Sequence, residues 1–268
     1  MLTHRAVERL INGGLLFYTL AFSIFMLAPI LIVVIVAFSA NSYVSFPIEN
    51  WSWRWFQRLY EYRPYFDSFV VTLKLAVLSA FFACLLGVPA ALVLSRSRGK
   101  FANAVMTFML SPLSIPSIVL GFAMLFYLSR IGLGVSFISL LIAHVVASIP
   151  YIVRTVGGQY RSMTPGFEES AMILGCNGWQ TFWYVTFPMI RGAILAGAIF
   201  ALIISIDNVS LSLFFSSPTT ATLPVVMLSY LESSFDPSIA AASTVQLIIA
   251  VVLLFVIERL YGLRGITG

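Results

Sequence analysis

Residues 13–39, GGLLFYTLAFSIFMLAPILIVVIVAFS, carry no charged side chain. A helix needs about 20 apolar residues to cross a hydrocarbon core of about 30 Å. This run exceeds that length and is too long for the apolar core of a secretory signal, so it is expected to persist as a span, with no cleaved leader. The rest of the chain repeats the pattern. Charge-poor apolar runs fall at about 14–39, 68–94, 104–128, 135–157, 191–215 and 238–260. They are continuous and lack the period-2 alternation of a barrel strand, so helix is expected in each. The reading is an all-α polytopic membrane protein: six transmembrane helices in a single domain over 1–268.

Composition agrees. The chain has 268 residues, 60% of them apolar and 9% charged, with a mean hydropathy of +1.00. Soluble chains average roughly 45–50% apolar and about 25% charged. So few charges cannot cover a water-soluble globule, and so apolar a chain is not disordered. The net charge of +5 and the pI near 9.4 are read as loop charge facing membrane lipid; nucleic acid is not expected as a partner.

With six spans, both termini share a side with the second and fourth loops. That side carries Arg5, Arg9, Arg96, Arg98, Lys100, Arg154, Arg161, Arg191, Arg259 and Arg264, whereas the other carries Arg54, Arg58, Arg63 and Arg130. Basic residues accumulate on the cytoplasmic face. Both termini and the 158–190 loop are therefore expected in the cytoplasm. The first outer loop holds Trp51, Trp53, Trp55, Phe56, Leu59 and Tyr60 with Arg54 and Arg58 among them, a pattern that suits a short helix at headgroup level or a docking surface for an external partner. In Ser111-Pro112-Leu113-Ser114-Ile115-Pro116-Ser117, two prolines remove backbone donors, which predicts a bent or locally unwound helix facing protein.

Cys84 and Cys176 form no CxxC pair, and His4 and His144 lack metal-ligand spacing, so no metal site is expected. His144 is expected to be a packing residue bonded to a helix carbonyl.

The 158–190 segment carries the most local information. Thr164-Pro165 reads as a helix N-cap followed by proline at the first helical position. Glu168 and Glu169 follow in the first turn, where carboxylates suit the positive helix end. Phe167, Ala171 and Leu174 share one face, and Gly175 closes the helix. After Asn177-Gly178 a second short helix is expected, with Trp179, Phe182, Trp183 and Thr186 on one side and Pro188 ending it. Two short amphipathic helices at right angles make either a docking device or an elbow lying on the bilayer.

The spacing here resembles a known pattern. Glu169-Ser170-Ala171, three residues, Gly175, nine residues, then Val185-Thr186-Phe187-Pro188 is similar to the EAA loop of ABC importer permeases. Ser170, Val185 and Phe187 are conservative departures, and the loop precedes the fifth span, as in that family. The Trp-rich outer loop and Pro112-Leu113-Ser114-Ile115-Pro116, followed by Ile118-Val119-Leu120-Gly121, extend the resemblance over most of the chain, which looks most like the spermidine/putrescine-type permeases of binding-protein-dependent importers. The resemblance implies a bacterial inner-membrane subunit forming half of a pore. It implies two ATP-binding subunits, a second permease (a related chain or a copy of this one) and a periplasmic solute-binding protein. It also implies that Glu168, Glu169, Ala171, Gly175, Phe187 and Pro188 form the coupling surface for the ATPase, with Glu169 and Gly175 at its most characteristic positions.

The chain has no GxxxxGK[ST] and no nucleophile–base pair. ATP and its magnesium are therefore expected on a separate subunit; no cofactor and no catalytic residue are expected in this chain. Asp207 lies in the outer part of the fifth run, roughly 24 Å beyond Arg191 at about 1.5 Å per residue. Asn208, Ser205, Ser210 and Ser212 surround it. An ionisable group there usually faces a polar interior, so Asp207 and Asn208, with Lys74, are candidates for the pathway of a small, amine-bearing solute, or for a polar helix contact. Lys74 is expected either to reach outward or to pair with Asp207. The alternative from another class is an ion-coupled secondary transporter, which would need midplane ion sites and usually internal repeats; no convincing repeat is visible.

Overall fold

The computed structural model describes residues 4–97, 99–234 and 236–261. Arg98 and Arg264, assigned above to the basic side, lie outside the described residues. The chain is all-α, with a single antiparallel bridge between Ser39 and Trp51 among the described residues. Among the described residues, five helices are long and apolar enough to cross a membrane, and a sixth crossing exists if a bent pair counts as one span. The helices form two compact units, residues 1–63 with 231–248, and 64–230 with 249–268.

The first unit contains α1 (His4–Ala37), α2 (Arg54–Glu61) and the first part of α12 (Ser238–Tyr261). Leu15, Phe17 and Phe25 on α1 are exposed, as expected for a helix whose solvent is lipid. Ala40 N donates to Asn50 O at 2.9 Å and Ser52 N to Phe38 O at 2.8 Å, folding the intervening chain back towards α2. The short helix expected in the tryptophan-rich loop forms, but its tryptophans divide. Trp51 and Trp53 are exposed, while Trp55 is buried against Ala37 and Ala241. The Arg54 guanidinium donates to Ala40 O at 2.9 Å and lies 4.4 Å from the Trp55 ring centre.

The second unit is built around α3 (Arg63–Arg96), α6 (Phe137–Ser162) and α9 (Phe187–Asp207). Ala80, Ala83, Ala91, Ile152, Val156, Met163, Ile190 and Ala201 make the core among them. Small residues let these backbones approach, the usual basis of helix packing in lipid. A Cβ on Gly197 would stand 2.5 Å from Thr155 Oγ1 and 3.3 Å from Ile152 Cα.

Several expected boundaries are corrected. The run at 104–128 is not one continuous helix. It is α4 (Lys100–Leu110), a 3-10 turn over Ser111–Leu113, and α5 (Ser117–Arg130), with a bend of 108°. Pro112 sits in the 3-10 turn and Pro116 takes an extended conformation before α5. The first span ends at Ala37, whereas the fourth continues to Ser162. The run at 191–215 is helical only to Asp207. There Asn208 leaves the helical conformation and its Oδ1 accepts from Leu211 N at 3.1 Å, capping α10 (Val209–Ser212). A capping side chain that offers the backbone an alternative partner ends a helix even in apolar sequence.

An unexpected helix, α11 (Leu223–Ser233), lies in the 216–237 loop; it is too short to read as a span. Leu223 N donates to the buried Thr72 Oγ1 at 2.8 Å, which anchors its start to α3.

Candidate functional site

The 158–190 segment contains α7 (Gly166–Ile173) and α8 (Gly178–Thr181). The second helix does not stop at Pro188. It runs on through a π turn at Phe182–Thr186 into α9, so that Gly178–Asp207 is one helical run. Proline lacks only a donor and needs room for its ring opposite the preceding turn. At the second position of α9, directly after a widened π turn, both demands are met. The expected 158–190 loop thus reduces to a compact elbow between the ends of α6 and α9.

Both sides of the elbow are capped. Cys176 N donates to Ala171 O and Gly175 N to Met172 O, each at 3.0 Å. Gly175 has a φ of +92°, the left-handed conformation that closes such a helix end and favours glycine. No heavy atom lies within 4 Å of a Cβ built there; the requirement is conformational and not steric. Two residues on, Asn177 Oδ1 accepts from Gln180 N and Gln180 Oε1 accepts from Asn177 N, each at 2.9 Å. This reciprocal capping box fixes the start of α8.

Glu168 faces inward. Its carboxylate accepts from Thr186 Oγ1 at 2.5 Å, from Tyr160 Oη at 3.1 Å, and from the Arg96 guanidinium, to which it is also ion-paired. The Arg96 guanidinium lies 3.9 Å from the Tyr160 ring centre. Burial pushes the Glu168 carboxyl up, but bonds from Thr186 and Arg96, the Arg96 charge and the Tyr160 bond outweigh it and hold the pKa below the ordinary value.

The other expected coupling residues separate by face. Ala171 is buried beside Glu168, whereas Glu169 and Pro188 are exposed and Phe187 is half-buried. The expected stripe therefore splits, with Phe167 and Leu174 pointing away from Ala171. Ile173 and Leu174 are each 85% exposed, and Met172, Trp179 and Tyr184 are exposed with them. An apolar ridge of this kind marks an interaction surface. Behind it, the Trp183 ring stands 5.0 Å from Phe187 and 5.2 Å from Phe182. Thr186 leaves the aromatic side on which it was placed and turns to Glu168. Arg96 and Tyr160 were not anticipated as members of this site. A carboxylate three residues before a core alanine needs an inward partner, and that spacing was the available signal.

At the far end of α9, Asp207 is exposed and Asn208 serves as the cap described above. Lys74 is also exposed, and it forms no ion pair with Asp207. Its ammonium lies 4.9 Å from the Phe137 ring centre. Ser205 and Ser212, expected to surround Asp207, instead bond His144. His144 Nδ1 is 2.9 Å from Ser205 Oγ and Nε2 is 3.0 Å from Ser212 Oγ. The expected helix carbonyl is thus replaced by two hydroxyls, one on each side of the break at Asn208. A neutral imidazole has one donor and one acceptor nitrogen, so one serine donates and the other accepts.

The family described as binding-protein-dependent transport system inner membrane component matches residues 83–263, well over half of the chain. The putrescine transport system permease protein PotI of Escherichia coli (strain K12) is 28% identical over 230 residues, covering 83% of this chain and 82% of that protein. The molybdenum transport system permease protein ModB of Mycobacterium tuberculosis (strain H37Rv) is 30% identical over 201 residues, covering 69% and 75%. Among solved structures, a bacterial ABC transporter involved in alginate import superposes with a TM-score of 0.73 at 16% identity, covering 97% of this chain and 99% of that one.

Proposed function

On the premise that the chain belongs to the family of binding-protein-dependent transport system inner membrane components, and is a permease subunit of an ABC importer with that fold, we propose how it works and what it carries. The ion-coupled alternative is not favoured. The whole chain acts as one permease domain in a bacterial inner membrane, with both termini and the 158–190 elbow in the cytoplasm. It pairs with a second permease, two ATP-binding subunits that carry ATP and magnesium, and a periplasmic solute-binding protein. No chemistry is assigned to the chain itself; its task is to move.

The apolar ridge at Ile173 and Leu174, presented on an elbow capped on both sides, carries this reading. Such a ridge suits a groove on an ATP-binding subunit, where a few buried apolar side chains supply most of the binding energy. Glu169 and Gly175 contribute as motif positions, Glu169 by offering its exposed carboxylate across the interface, Gly175 by holding the turn. Phe187 and Pro188 join the elbow to α9, so that displacement of the ridge moves a membrane helix.

The solute is read as a small amine of the polyamine class. Two observations support this: the similarity to PotI, and the exposed Asp207 carboxylate beside Asn208 at the end of α9. Lys74 is retained as a pathway candidate through its exposed ammonium.

The test is reconstitution with the ATP-binding and solute-binding partners in vesicles, with putrescine and molybdate as competing probes. ATP-driven putrescine uptake that molybdate does not reduce, and that Asp207→Asn lowers at saturating binding protein, supports the reading. Ridge variants Ile173→Asp and Leu174→Asp should lose the ATP-binding subunit on co-purification; retention of that subunit with normal uptake overturns the coupling assignment.

A further inference from the structure

The resemblance points to Glu169 as the characteristic carboxylate of the elbow, yet its neighbour makes the structural connections. Glu168 is 8% exposed and its carboxylate is bonded to three other segments. Arg96 is the last residue of α3, Tyr160 lies in the last turns of α6, and Thr186 is the last residue of the π turn that opens α9. Side chains of these three helices also share one of the buried core clusters of the second unit. Arg96 Nη2 is buried without a hydrogen-bond partner, so Glu168 and the Tyr160 ring are the contacts that orient the guanidinium. Beside it, a Cβ on Gly157 would stand 2.7 Å from Ser95 Oγ, so α3 and α6 are in close approach where the clamp sits.

From this geometry we propose that Glu168 is the positioning residue of coupling, clamping α7 to the ends of α3, α6 and α9 so that the elbow and the three helices move as one body. Glu169, being exposed, is left for the partner. Charge-assisted bonds to a buried carboxylate are the strong class of hydrogen bond. Displacing α7 without α3 breaks such a bond and leaves a charge buried and unpaired, which proteins avoid strongly. A push on the ridge therefore passes to α3, which the loop's own backbone reaches only through α4, α5 and α6.

The inference rests on the coupling reading above, and the experiment separates the two. In the complex, with native Cys84 and Cys176 replaced by serine, spin labels at Val93→Cys on α3 and Ser170→Cys on α7, both exposed and outside the ridge, report the distance between those helices with and without ATP. The wild-type background should give one narrow distribution in both states. Glu168→Gln should broaden it, and Glu169→Gln should not. Putrescine imported per ATP hydrolysed should fall at least about tenfold in Glu168→Gln, the scale of one lost charged hydrogen bond, and stay within about twofold in Arg161→Gln, which removes an exposed charge near the end of α6 that belongs to neither the clamp nor the ridge.

A charge exchange guards against simple misfolding. Glu168→Arg and Arg96→Glu should each broaden the distribution, and the double exchange should narrow it again. A narrow distribution in Glu168→Gln with an unchanged import ratio overturns the clamp, as does failure of the double exchange to narrow it. If wild type binds no ATP-binding subunit, the coupling reading falls and the clamp with it; if wild type couples and Glu168→Gln couples equally, the clamp alone falls. Should the wild type not carry putrescine, the polyamine assignment falls, and the label distances decide the clamp.

Discussion

Thr186 donates its hydroxyl to Glu168 Oε1 at 2.5 Å, tying the π turn before α9 to the first turn of α7. Without that bond, a buried carboxylate oxygen keeps only Tyr160 as donor. Thr186→Val is nearly isosteric and removes the hydroxyl. It should lower stability by about 1–3 kcal/mol, the cost of leaving a buried acceptor short of a partner, as read from thermal unfolding in detergent. Thr186→Ser should retain most of the wild-type value. Equal stability of all three would show that the bond contributes nothing.

The same carboxylate gives the elbow a pH dependence. Its pKa in the folded protein lies below the ordinary value of 4.5. A depressed carboxylate contributes stability that is present above the unfolded-state pKa and lost as pH falls through the folded-state value. Stability should therefore drop as acid protonates Glu168, and Glu168→Gln should be less stable at neutral pH and flatter in acid. Parallel acid profiles for wild type and variant would remove Glu168 from the linkage.

Gly175 and Gly178 make a paired test of the elbow. Neither has a neighbour within 4 Å of an added Cβ, but only Gly175 has a positive φ, +92°. Gly175→Ala should cost about 1–2 kcal/mol, the strain of an L-residue in the left-handed region, and should reduce ATP-driven uptake. Gly178→Ala should leave both measurements close to wild type. Similar losses in both variants would mean that space, and not backbone conformation, controls the turn.

Between α6 and α9 the limitation is space. Gly197→Ala places a Cβ 2.5 Å from Thr155 Oγ1 and should destabilise by about 1–3 kcal/mol through overpacking. Adding Thr155→Ala removes the nearest atom and should recover part of the loss. Ile152 Cα, at 3.3 Å, is backbone and cannot withdraw, so recovery should be incomplete. A double-mutant cycle measures this, and strict additivity would refute the contact.

His144, bonded to Ser205 and Ser212, gives a parallel test in which a partner is removed rather than an atom added. His144→Leu leaves two buried hydroxyls without their partner and should cost about 1–3 kcal/mol. Removing those hydroxyls as well, with Ser205→Ala and Ser212→Ala, should recover part of it, because orphaned polar groups cost more than absent ones. A triple variant less stable than His144→Leu would contradict that account.

Much of the site was legible in local sequence. The paired glutamates and Gly175 marked a short helix, and α7 spans Gly166–Ile173, one residue later than expected: Pro165 takes the cap position and no side chain caps the helix. Pro112 and Pro116 marked a break, and the chain bends there by 108°. Other features were not legible for specific reasons. Pro188 signals a helix end in sequence, whereas in the structure the helix continues from the π turn through it into α9. Asn208 sits in an apolar run and ends α9 by capping α10. Arg96 and Tyr160 lie 72 and 8 residues from the carboxylate they bond, and no local pattern joins them.

The amino-acid order alone was enough to establish a helical chain crossing a membrane, because apolar run length and the obligation to pair every backbone donor in lipid leave no other solution. It was also enough to locate the elbow, since capping and left-handed glycine are local chemistry. Which glutamate turns inward, which serines hold His144, and whether a proline ends or continues a helix were decided only by the packed structure. Each depends on which side chains arrive from distant helices to satisfy a buried polar group, and that is settled when the helices assemble.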